Sequence, residues 1–155
     1  MSGIGQALTT TLRPFHLAFT VGDLEAARAF YTGILGCPEG RSAERWIDFD
    51  LFGHQIVAHL VPHTKSNTDS NPVDGHNVPV PHFGVVLTMA QFDALAARVQ
   101  AANIKFGIAP TIRFKGLPGE QATMFFCDAA GNALEFKAFA DDAMLFSTTQ
   151  VLAVE

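Results

Sequence analysis

The sequence predicts an α+β fold made of two tandem β-α-β-β-β modules, and three observations carry that prediction. Arg13 to Val21 reads R-P-F-H-L-A-F-T-V and Pro79 to Leu87 reads P-V-P-H-F-G-V-V-L, each with proline, then histidine, then an apolar run. An amphipathic helix pattern follows each run. Short strand patterns follow each helix. An internal repeat of this kind fixes the whole topology, so it takes precedence over local propensities. The expected domain covers 12–139, with module one at 12–62, a linker at 63–79, module two at 80–139 and a C-terminal tail at 140–155.

Met1 to Thr11 reads as a loose arm. Leu12 to Val21 is nearly all apolar and reads as a strand covered on both faces. Gly22 breaks it and Asp23 is a good N-cap. A helix follows from Leu24 to Leu35, with Leu24, Ala27, Tyr31 and Ile34 on one stripe, Phe30 beside it and Gly36 as the stop. Glu39 to Arg45 reads as a short polar edge strand. Trp46 to Leu51 alternates, with Ile47, Phe49 and Leu51 on one face and Trp46, Asp48 and Asp50 on the other. Phe52 and Gly53 form the turn into a returning strand, His54 to Val61. Pro62 to Val78 is polar and turn-rich, and is read as a mobile connection or a lid. In module two, Val80 to Leu87 is the first strand, Thr88 the cap, and Ala90 to Ala101 the helix, with Phe92, Leu95 and Val99 on its stripe. Ile108 to Phe114, Gln121 to Cys127 and Asn132 to Phe139 are strands, joined by turns at Lys115 to Glu120 and Asp128 to Gly131. The tail carries Met144, Leu145, Phe146, Val151 and Leu152, and is expected to pack on the domain or on a partner subunit.

Composition narrows the function classes. Hydrophobic residues make up 48% of the chain and charged residues 16%, which supplies a core and argues against disorder. The formal charge of −5 argues against nucleic acid as a partner. No apolar run approaches the ~20 residues of a membrane span. The first ten residues lack the basic and apolar regions of a signal peptide, so a cytoplasmic location is expected. Cys37 and Cys127 have no ligand spacing and read as buried thiols rather than a disulfide.

The chemistry-bearing residues sit on inner strands: His16, His59, His82 and Glu135, with His54 at a hairpin corner. Side chains alternate along a strand, so His16 shares a face with Ala18 and Thr20, and His82 with Gly84 and Val86. Small neighbours leave a hollow. His16 and His82 are equivalent by the repeat and can meet if the two modules curl about one axis. Glu135 lies in A-L-E-F-K-A-F, where an unpaired carboxylate is costly and a metal would offset the cost. Lys137, Arg45 or Arg113 could pair with it instead. Two histidines and a carboxylate form the facial triad associated with non-haem Fe(II), and with a fourth ligand the set also suits Zn, Ni or Mn. His54 and His59 are five residues apart, so in an unbroken strand they point to opposite faces and only one reaches the cup. Arg113 and Lys137 could bind an anionic substrate or form salt bridges. His63 and His76 read as solvated loop residues.

H-L-A-F-T-V-G-D-L-E-A-A-R-A-F-Y-T-G-I-L-G, from His16, resembles the opening of the vicinal oxygen chelate superfamily. F-F-C-D-A-A-G-N-A-L-E-F, from Phe125, resembles its closing strand. The superfamily includes glyoxalase I, extradiol dioxygenases, and the fosfomycin and bleomycin resistance proteins. The resemblance spans about Leu12 to Phe139. It implies a cupped mixed sheet around one divalent metal, Fe(II) favoured, with His16, His82 and Glu135 as ligands. F-G-H-Q-I-V-A resembles the stretch carrying the dioxygenase acid-base histidine, which places His54 in that role. His59 stands at about the position of a glyoxalase ligand. Three positions depart from the pattern: Phe125 replaces a tyrosine, K-G-L-P-G-E-Q lacks a histidine, and Ala129 replaces a proline.

The leading expectation is a metal-dependent, dioxygenase-like enzyme acting on a small vicinal-oxygen substrate, with His54 or His59 as general base. A glyoxalase-like lyase or isomerase is the alternative. A non-catalytic drug-binding protein is the third reading. A homodimer is expected, because curved sheets leave edges to cover.

Overall fold

A computed structural model describes residues 12–62, 70–73 and 76–148. The expected arm at 1–11, His63, the His76 side chain, and Val151 and Leu152 of the tail lie outside what it describes.

Strand β1 (His16–Val21) enters helix α1 (Leu24–Arg28), which continues as a π-helical segment, Ala29–Ile34. The Asp23 carboxylate accepts from the Glu25 and Ala26 amides at 2.8 and 3.1 Å, the expected N-cap. The sequence pattern predicted one regular helix to Leu35. The wider turn instead buries two consecutive aromatic residues, Phe30 and Tyr31. Adjacent residues on an α-helix diverge by about 100°, and under-winding narrows that angle.

Strands β2 (Glu39–Ala43), β3 (Trp46–Leu51) and β4 (His54–Leu60) complete the first sheet, in the order β1-β4-β3-β2. β1 runs parallel to β4. The β3–β4 turn is at Phe52 and Gly53, with φ values of 52° and 90°, the left-handed pair a two-residue hairpin needs.

Part of the expected linker is ordered. β5 (Ser70–Val73) and β6 (His76–Pro79) pair as an antiparallel hairpin.

The first strand of module two, expected from Val80 to Leu87, is regular only at β7 (Val86–Leu87), with an isolated bridge from Phe83 to Leu134 extending the pairing backwards. Gly84 explains that close pairing, since a Cβ there would lie 1.6 Å from the Glu135 carbonyl oxygen. Helix α2 (Met89–Ala101) begins with a capping box between Thr88 and Gln91. Strands β8 (Phe106–Arg113), β9 (Gln121–Cys127) and β10 (Ala133–Phe139) follow, giving the order β7-β10-β9-β8. β7 is parallel to β10, so the second sheet repeats the connectivity of the first.

The two modules share one core. Phe30 meets Phe126 with ring centroids 6.1 Å apart, and Phe19 meets Phe83 at 5.3 Å. The buried Tyr31 hydroxyl donates to Asp128 Oδ2 at 2.8 Å, and Arg98 Nε donates to the Ile34 carbonyl at 2.8 Å. These contacts tie the first helix to the second module. After β10 a single helical turn, Asp142–Met144, leaves Met144 and Leu145 half-buried and Phe146 exposed. Both cysteines are free, and Cys127 is exposed rather than buried.

Candidate functional site

Alternation divides each sheet into a core face and an open face. On the second sheet, Leu134, Phe136, Met124 and Phe126 join the core. Glu135, Lys137, Thr123, Phe125 and Gln121 therefore share the opposite face. His82 reaches that face from the segment before β7, and its Nε2 lies 3.0 Å from Glu135 Oε2. The other carboxylate oxygen accepts from the Thr123 hydroxyl at 2.7 Å and lies 3.6 Å from Lys137 Nζ. His82 Nδ1 lies 2.6 Å from the Pro79 carbonyl oxygen, which can only accept, so Nδ1 carries a hydrogen. The Phe125 ring stands edge-on to the imidazole at 4.9 Å. A hollow of about 270 Å³ opens beside the pair, lined by Asn77, Pro79, Ile108, Phe125, Cys127 and Ala133. Pro79 and Phe125 line this hollow and also contact His82, while the His82 and Glu135 side chains are not part of its lining.

On the first sheet, His16, Gln55, His59, Trp46 and Asp48 share the open face, since His16 pairs with Gln55, Thr20 with His59, and Trp46 with His59. His54 falls on the other side of β4, where its Nδ1 accepts the Phe15 amide at 2.9 Å. The odd spacing thus separates the two histidines. His16 Nδ1 contacts Gln55 Oε1 at 2.8 Å, and Gln55 Nε2 donates to Asp48 Oδ2 at 3.3 Å.

The expected metal centre does not form. Among the described residues, no three His, Cys, Asp or Glu side chains come together to hold an ion. His82 and Glu135 meet, but His16 is engaged by Gln55 on the other sheet. Glu135 also has protein partners in place of a metal. Its carboxylate, about 10% exposed, is compensated by Thr123, His82 and Lys137. The Fe(II), Zn, Ni or Mn expectation, with His16, His82 and Glu135 as ligands, is therefore corrected.

Register also relocates a family position. Lys137 pairs with Val86, which sets Glu135 opposite Gly84, while in module one Ala18 pairs with Val57. The counterpart of Glu135 in module one is thus the buried Val57, two residues before His59.

The family model for the Glyoxalase/Bleomycin resistance protein/Dioxygenase superfamily matches residues 13–136. The chain belongs to this superfamily. A solved superfamily protein, the glyoxalase/bleomycin resistance protein/dioxygenase from Alicyclobacillus acidocaldarius, is 34% identical with a TM-score of 0.72, covering 86% of this chain and 96% of its own. The fosfomycin resistance protein FosX from Listeria monocytogenes is 19% identical with a TM-score of 0.62, over 83% and 94% of the two chains. A glyoxalase/dioxygenase from Nostoc punctiforme is 20% identical with a TM-score of 0.62, over 86% and 99%. The last two likenesses show the shared fold. No curated protein matches the chain.

Within this glyoxalase/dioxygenase fold, the closing D-A-A-G-N turn has a structural task. Asp128 Oδ1 accepts the Ala130 and Asn132 amides at 2.9 and 2.8 Å, while Oδ2 takes the Tyr31 hydroxyl. Partial desolvation of its sulfur, then the Asp128 charge, pushes the Cys127 thiol upward, away from the thiolate that would be nucleophilic. The sequence offered Lys137 among three partners for Glu135, and Lys137 Nζ lies 3.6 Å from its Oε1. The sequence pattern missed Thr123 and Gln55, whose roles depend on strand register.

Proposed function

We propose that this chain is a small-molecule enzyme whose second module performs proton transfer, in the manner of a lyase or isomerase, with His82 and Glu135 holding the proton that moves. One observation carries the reading. Because His82 Nδ1 already gives its hydrogen to the Pro79 carbonyl, the 3.0 Å contact between Nε2 and Glu135 Oε2 needs one further proton between them. In that form the pair is a general acid on the open face of the second sheet. After giving up the proton it is a general base. Lys137 lies close enough to place positive charge beside an oxyanion developing on a substrate. Gln121 Oε1, a buried acceptor on the same strand face as Thr123, has no hydrogen-bond partner among the described residues and offers a site for a substrate hydroxyl. These groups suit a small molecule with neighbouring oxygens and an acidic C–H.

The test is deuterium exchange from D2O into a panel of α-hydroxycarbonyl and α-dicarbonyl compounds, followed by NMR. Wild type exchanges at least one of them. Glu135→Gln and His82→Gln each slow it by about 10²- to 10⁴-fold, with the double variant no worse than the poorer single one. Full activity in a folded Glu135→Gln protein refutes the proposal. The hollow beside Phe125 favours one second reading, capture of a planar apolar ligand without turnover. Saturable binding with no exchange across the panel would select it.

A further inference from the structure

We propose that Gln55 and Asp48 are positioning residues for His16, locking its ring as the Nδ1–H tautomer and leaving Nε2 as a bare acceptor on the first sheet. The hydrogen bonds run across three adjacent strands, β1, β4 and β3. Asp48 on β3 is buried, with a carboxylate that only accepts while ionised. Arg41 Nε lies 3.9 Å from its Oδ2. Gln55 on β4 contacts that same oxygen through Nε2 at 3.3 Å. The alternative amide orientation would set a carbonyl oxygen against a carboxylate, so the amide is fixed with Oε1 toward His16. An amide oxygen cannot donate. The 2.8 Å contact to His16 Nδ1 is therefore an N–H donation from the imidazole. A neutral ring with hydrogen on Nδ1 has none on Nε2.

The arrangement is independent of the His82 and Glu135 pair. Module one has Val57 where module two has its carboxylate, so its histidine is oriented through an amide two residues earlier on β4. The relay gives His16 a defined basic nitrogen without a direct carboxylate neighbour. Holding one tautomer by bonding the other nitrogen is the device that makes an imidazole a committed proton acceptor.

Two-bond ¹H–¹⁵N correlation spectra of ¹⁵N-labelled protein test this directly, at a pH about two units above the ordinary imidazole value of ~6.5. His16 is expected as the Nδ1–H tautomer. His54 provides the internal standard, because its Nδ1 accepts the Phe15 amide and its hydrogen must sit on Nε2. Gln55→Leu is expected to shift His16 to a majority Nε2–H form while His54 stays unchanged. Gln55→Glu, which still accepts from Nδ1–H, is expected to retain the wild-type tautomer. A wild-type His16 bearing its hydrogen on Nε2 overturns the proposal, whether or not the variants fold. So does an unchanged His16 tautomer in Gln55→Leu with a native amide spectrum. The test does not use enzymatic activity, so its failure is distinguishable from failure of the proton-transfer reading.

Discussion

Tyr31→Phe removes one oxygen from a residue with no exposed surface, and it isolates the contact that joins the modules. The ring keeps its packing against Phe19, Phe30 and Phe49, so no cavity opens. What is lost is the 2.8 Å donation to Asp128 Oδ2. Asp128 keeps the Ala130 and Asn132 amides on Oδ1 and the Asn132 side-chain amide on Oδ2. The change therefore removes one hydrogen bond to a charged group and leaves the acceptor partly satisfied. That costs about 1.5–3 kcal/mol. In urea the midpoint should fall with the slope m unchanged, because the surface exposed on unfolding is the same. At this chain length the thermal midpoint should drop by roughly 3–12 °C. Asp128→Ala should cost more, since it strands four donors, three of them amides. A loss below about 0.5 kcal/mol in Tyr31→Phe would refute the reasoning, because it is less than a buried charged hydrogen bond supplies.

Alkaline stability follows from the same core. Burial and the Asp50 charge push the Cys37 thiol from 9.0 to about 12. Burial, then Asp128, holds Tyr31 well above the usual phenol value. Both groups stay protonated longer when folded, so their contribution is complete below the unfolded values and is lost as pH rises towards the folded ones. The denaturation midpoint should decline from about pH 9 upward, and Cys37→Ala should flatten the first part of that decline. Gly84→Ala should disrupt β7–β10 pairing, because its Cβ would meet the Glu135 carbonyl at 1.6 Å; hydrogen exchange at the Glu135 and Lys137 amides reports it, and wild-type protection would count against the register. Arg98→Met removes the cation that donates to the Ile34 carbonyl at the end of the first helix, and should cost about 0.5–1.5 kcal/mol in urea unfolding, reduced by its exposure. Dialysis against a chelator should leave the thermal midpoint unchanged, because Glu135 is compensated by protein groups; a drop reversed by Fe(II) or Zn would restore the metal site.

Local signals were sufficient for most of the architecture. Alternation marked β3, and the split of its residues into Ile47, Phe49 and Leu51 against Trp46, Asp48 and Asp50 matches the observed faces. Asp23 and Thr88 marked two helix starts, because capping depends on residues only two or three positions away. The repeat of proline, histidine and apolar run predicted the shared strand order of the two sheets. Parity alone separated His54 from His59. The ordered hairpin at β5 and β6 was hidden, since its polar sequence carries no apolar alternation.

The partners of the functional residues were a different matter. His16 and His82 are equivalent in sequence, yet one bonds an amide and the other a carboxylate. Which side chain faces a histidine depends on strand register, and a shift of two residues exchanges Val57 for Gln55 or His59. Register is set by the packing of whole sheets against the shared core, not by the local pattern of any strand. The sequence by itself therefore determined the modules, their elements and the identity of the polar residues on the open faces. Only the tertiary structure decided that Thr123, His82 and Lys137 compensate Glu135, that Gln55 occupies His16, and that the three expected ligands do not converge.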